Sequence, residues 1–134
     1  MYGKIKLVVE IDCGEDVPQY RLVYMKSDGK FWIANGDAVA GPLGPAVGIT
    51  TAECDVDAAD KECIVCESGC IRDDAWNTTP DIDEGEDIFL DDTAGVLTNV
   101  ANIGVGDIHQ KIGYAVAASG IINFNFAHPY HIVD

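Results

Sequence analysis

Apolar and polar positions alternate in short runs along this chain, and a helical period of 3.6 residues is not sustained anywhere. Lys4–Ile11 interleaves Lys4 and Lys6 with Ile5 and Leu7, the period of two that sends successive side chains to opposite faces of a strand. Further runs rich in β-branched and aromatic residues cover Tyr20–Lys26, Lys30–Ala34, Ala46–Thr51, Glu62–Glu67, Asp87–Leu90, Val96–Val100, Lys111–Ala117 and Gly120–Phe126. Turn formers separate them: Ser27-Asp28-Gly29, the Gly/Pro cluster at 41–45, Ser68-Gly69, Asp83-Glu84-Gly85 and Ser119-Gly120. Many short strands at this spacing predict an all-β chain, a small single-domain β-barrel or sandwich of short antiparallel strands. Ala115–Ala118 is the only helix-friendly patch, and it sits inside a strand-like run; the pattern also allows a short turn of helix near Ala52–Asp60, where alanine and acid residues mix. The cluster at 41–45 is a loop within the domain, because strand signals resume at once.

A faint repeat runs through the pattern. Gly14-Glu15-Asp16 precedes Val23–Gly29 and then Ala46-Val47-Gly48-Ile49; Gly85-Glu86-Asp87 precedes Ile88–Gly95 and then Lys111-Ile112-Gly113-Tyr114. Each half reads as strand, Asp/Gly turn, strand, then a strand with glycine at its centre. A glycine there allows a bulge or a close backbone approach. Duplication and two hairpins of similar design account for this equally well.

Charge narrows the partners. The 134 residues, 48% of them hydrophobic, suit one domain with a real core and carry a net charge of −15. Residues 1–35 hold five basic and five acidic side chains, whereas residues 51–92 hold fifteen acidic groups against Lys61 and Arg72. Phosphate backbones bind through lysine and arginine, so nucleic acid is excluded as a partner. The acidic block reads as a solvated face. No stretch approaches the roughly 20 apolar residues of a membrane helix, so no membrane partner is expected. The start of the chain has strand patterning where a signal peptide would show an unbroken apolar block, which implies synthesis in the cytoplasm.

The cysteines offer the most tempting chemistry. Cys54, Cys63, Cys66 and Cys70 are candidate metal ligands, but Cys63-Ile64-Val65-Cys66 is strand-like. That geometry sends its two thiols to opposite faces, whereas a zinc knuckle needs a tight turn. Cys54 and Cys70 also lack knuckle spacing. The expectation is buried thiols acting as small hydrophobes, reduced and without metal. Asp81 and Asp83 begin a run of alternating carboxylates, yet the run lacks the terminal bidentate glutamate of a calcium loop. No nucleophile elbow or phosphate-cradling loop is present, so no catalytic residue, enzyme activity or cofactor is expected. His109, His128 and His131 read as tail or surface residues. Trp76 follows a polar stretch and either plugs a barrel end or anchors an interface.

Taken in order, several phrases resemble the small decoration (cement) and head-fibre proteins of tailed bacteriophages and related viruses. Val23–Lys30 followed by Gly44–Ile49 is similar to their N-terminal half. Gly69-Cys70-Ile71-Arg72-Asp73-Asp74-Ala75-Trp76-Asn77 is similar to their turn before an Ala-Trp-Asn. Phe89–Thr98, with Thr93-Ala94-Gly95 at its centre, resembles their central hairpin, and Gln110–Val116 with Ile121–Phe124 their closing strands. The resemblance implies a virion structural protein on the capsid exterior that binds the major capsid protein, as a homotrimer, and stabilises the shell. The alternatives are the base of a head fibre, spike or turret that displays a host-binding partner and, from another class, a small cysteine-based zinc or redox protein. The implied organisation is an N-terminal strand or arm at 1–13, a β-barrel decoration domain at 14–126 and a C-terminal tail at 127–134. Candidate contact residues are Tyr2, Lys4, Lys6, Trp32 and Trp76. The cysteine group and the density of acid in 51–92 depart from the family's pattern.

Overall fold

A computed structural model describes residues 5–39, 41–59, 62–72, 84–91, 93–99, 104–117, 121–126 and 129–134, with side chains outside 5–10, 70–72 and 117. Ten strands account for its regular structure: β1 (Ile5–Asp12), β2 (Leu22–Met25), β3 (Phe31–Ile33), β4 (Gly48–Thr50), β5 (Glu62–Arg72), β6 (Asp87–Leu90), β7 (Leu97–Thr98), β8 (Ile108–Ala117), β9 (Ile121–Asn125) and β10 (Tyr130–Ile132). Among the described residues there is no helix, and the strands form one curled antiparallel sheet, a half-barrel. The all-β expectation holds.

Strand order along the sheet is β3-β2-β4-β5-β9-β8-β6-β7, with β1 added to β5 and β10 to β8. Read outward from the central β5–β9 pair, the two halves have the same internal order: β4, β2, β3 on one side and β8, β6, β7 on the other. The glycines of the sequence repeat occupy matching registers, Gly48 opposite Val23 and Gly113 opposite Ile88. Both sit where backbones approach closely. A Cβ on Gly113 would collide with the carbonyl oxygen of Asn123 in β9, and one on Gly48 with Val65 and the carbonyl of Cys66 in β5. The repeat is thus a repeat of strand layout and of close packing.

Turn chemistry works as the residue types demand at most corners. Gly29 (φ 78°) and Gly95 (φ 75°) take the left-handed backbone of the β2–β3 and β6–β7 turns. Asp28 steadies the first by accepting from the backbone N–H of Lys30 at 2.9 Å. Ser68-Gly69 is different: it lies inside β5, not in a turn. Gly69 (φ 109°) bends that strand where its partner changes from β4 to β9. Ala52–Asp60 is not a helical turn over its described residues. The carboxylate of Asp55 accepts from the N–H of Asp57 at 2.9 Å, a local side-chain closure that competes with the helix.

The sheet buries apolar groups on both faces. One face holds Leu22, Ile49, Cys66, Ile88, Leu90, Leu97, Ile108, Ile112, Ile122 and Phe124. Irregular segments close over that side: Leu22 donates to Gly95 (3.1 Å), Gly95 to Ala34 (2.9 Å) and Ile108 to Gly36 (2.8 Å). Gln110, fully buried, clamps both backbone groups of Ala46, each at 2.8 Å. The opposite face carries a second core of Cys13, Val17, Val23, Phe31, Cys54, Cys63 and Val65. Strand alternation divides neighbours between the two, Leu22 in the first core and Val23 in the second.

The expected tail is not loose over Tyr130–Ile132. It forms β10, antiparallel to β8, with His131 opposite His109 and their rings 4.5 Å apart. Its three residues are too few for a period to show, and Pro129 suits the position just before a strand.

Candidate functional site

The second core gathers three cysteines from three segments. Cys13 follows β1 at a parallel bridge to Phe31, where Gly14 donates to the Phe31 carbonyl at 2.8 Å. Cys54 lies in the loop between β4 and β5, where reciprocal backbone hydrogen bonds with Val17, both 2.8 Å, hold it. Asp16 adds to that junction by accepting from the Val56 N–H at 3.0 Å. Cys63 stands on β5 opposite Ile11 of β1. All three are buried, and their sulfurs lie within 4.8 Å of one another. The Cys63 thiol donates to the Cys54 sulfur at 2.7 Å.

Apolar walls of Val17, Val23, Phe31 and Val65 surround this group. Burial pushes each thiol up to about 11, with hydrogen bonds and charge among the three sulfurs as secondary influences. At neutral pH they are therefore thiols and poor nucleophiles. The chemistry open to them is exchange of three protons for one thiophilic cation, or oxidation of a pair to a disulfide.

The structure divides the sequence candidates. Cys63 and Cys66 do point to opposite faces; Cys66 belongs to the first core and donates to the Ser68 carbonyl at 2.9 Å. Cys54 and Cys63 come together, and the third member is Cys13, which the spacing argument left out. No local motif joins Cys13 to the others, since only the pairing of β1 with β5 brings it there. The Cys70 side chain lies outside the described residues.

Among the contact candidates, Trp32 is half-buried and engaged within the chain. Its indole N–H donates to Asp28 at 3.1 Å, and the Lys26 ammonium sits 3.8 Å from its ring centroid. Its ring also covers Gly14, where a Cβ would strike it. Tyr2, Lys4, Trp76, Asp81 and Asp83 lie outside the described residues, as does the side chain of Lys6, whose backbone is in β1. In the acidic block, Glu53, Asp55, Asp57, Glu62, Glu84 and Asp87 are exposed. The Lys111–Asp87 pair at 3.1 Å is an exposed ion pair of small energetic weight.

A scan against protein-family models finds none that matches this chain, and a search of curated proteins finds no match either.

Proposed function

We propose that this chain is a non-enzymatic structural module of a tailed-virus particle, one that binds the major capsid protein on the outer surface of the assembled shell and does so as a homotrimer. The observation that carries the reading is the fate of the family-like phrases. Val23–Lys30 is strand β2 with its turn, Gly44–Ile49 leads into β4, Phe89–Thr98 is the β6–β7 hairpin, and Gln110–Val116 with Ile121–Phe124 is the β8–β9 pair. Phrases that resemble decoration proteins in order therefore fold here as the successive units of one half-barrel.

Two features support a contact through the N-terminal region. Among the described residues β1 pairs with β5 alone, the arrangement in which a strand of a neighbouring subunit could add to it. Residues 1–35 are electrically balanced, whereas burying the exposed carboxylates of the acidic block would impose a heavy desolvation cost. Repetition of the capsid surface and avidity within an oligomer compensate for a small footprint per subunit.

Co-sedimentation with undecorated particles tests this. Because β1 is part of the sheet, charge reversal (Lys4→Glu with Lys6→Glu) is a cleaner perturbation than truncation. It should weaken particle binding far more than joint neutralisation of Glu53, Asp55, Asp57, Glu84 and Asp87 to amides. If the neutralised protein falls off while the charge-reversed one stays bound, the orientation is backwards; if the wild type binds no particle, the capsid reading fails.

A further inference from the structure

We propose that Cys13, Cys54 and Cys63 form a structural site for one thiophilic divalent cation of the zinc class, independent of what the module binds. Three sulfurs from three separate chain segments converge within a buried apolar core. Around a zinc with Zn–S bonds of about 2.3 Å, tetrahedral thiolates stand about 3.8 Å apart. The observed group brackets that value, from 2.7 Å for Cys54–Cys63 to at most 4.8 Å within the set.

Binding breaks three S–H bonds, forms three Zn–S bonds and releases three protons to the solvent, leaving a site of net charge −1. The fourth position falls to water, since among the described residues no fourth ligand atom groups with the three sulfurs. Asp16, Glu53 and Asp55, exposed on the segments that carry Cys13 and Cys54, raise the local cation concentration. The gain is mechanical. The loop bearing Cys54 has no regular secondary structure over its described residues, and a metal would tie it to the end of β1 and the start of β5. A disulfide would join only two of the three segments and leave a thiol buried against it.

The experiment uses the full chain, prepared anaerobically with reductant and then titrated with zinc or, as a spectroscopic probe, cobalt(II). One equivalent should bind with sulfur-to-cobalt charge-transfer absorption. In native protein the metal should shield Cys13, Cys54 and Cys63 from alkylation in peptide maps, and chelation should restore their reactivity. Cys13→Ser, Cys54→Ser and Cys63→Ser should each weaken binding by at least about a hundredfold, whereas Cys66→Ala retains it. The alkylation map on wild-type protein keeps the test valid if a serine variant fails to fold. Absence of metal binding by the wild type, shielding that omits Cys13, or a Cys54–Cys63 disulfide in the anaerobically prepared protein would each overturn the proposal.

Discussion

Gln110 allows the closure of the half-barrel to be tested in isolation. Its amide nitrogen donates to the Ala46 carbonyl and its amide oxygen accepts from the Ala46 N–H, both at 2.8 Å, and both residues are only 2% exposed. The side chain thus acts as a piece of strand, joining β8 to the segment before β4. Gln110→Met keeps length and volume but orphans two buried backbone groups. Each unsatisfied group costs roughly 1–3 kcal/mol, partly offset by about 1 kcal/mol from the more apolar side chain. A net loss of about 1–5 kcal/mol follows, to be set against the roughly 5–15 kcal/mol a domain has. Urea unfolding should show a lower midpoint at unchanged slope. Gln110→Glu adds a sign. A carboxylate can accept from the N–H but repels the carbonyl, so its folded pKa is raised above the ordinary glutamate value. That variant should stand nearest the wild type below about pH 4 and fall behind as pH rises. If Gln110→Met unfolds within about 0.5 kcal/mol of the wild type, the clamp contributes nothing and the reasoning fails.

Three further outcomes follow from the same packing. In reduced, metal-free protein the thiols of Cys13, Cys54 and Cys63 hold their protons to about 11 against 9.0 ordinarily. Stability is then full below pH 9 and falls as pH climbs towards 11, because the unfolded chain releases protons first; chemical unfolding across that window should show a shallower fall for Cys13→Ala. Gly113→Ala drives a methyl into the Asn123 carbonyl and should cost about 1–3 kcal/mol, read as a lower melting temperature, whereas an unchanged value would mean β8 and β9 can separate cheaply. Phe124→Ala, which removes a fully buried ring from the first core, should cost about 3–5 kcal/mol by urea unfolding.

Fold class was legible because alternation and turn residues agree over short distances. Asp87–Leu90 is a strand at its expected bounds, and Gly29 and Gly85 take positive φ in turns as their neighbours suggested. The glycine repeat pointed to close backbone contacts at Gly48 and Gly113. Where a glycine serves to bend a strand, as Gly69 does in β5, local composition cannot separate it from a turn glycine. The thiol cluster was only half legible. Strand period correctly separated Cys63 from Cys66, but the convergence of Cys13, Cys54 and Cys63 depends on β1 lying along β5, a long-range pairing that no spacing rule contains. β10 escaped because three residues carry too little pattern, and its pairing with β8 is again non-local.

Electron cryomicroscopy of tailed-virus particles assembled in the presence of this protein tests the proposed capsid role. With the proposed role, density of the half-barrel's size is expected at repeated positions on the outer capsid surface, in groups of three, with β1 towards the shell and the acidic loops towards solvent. Particles whose lattice shows no such density, while the protein is abundant and folded in the same infected cells, would contradict it.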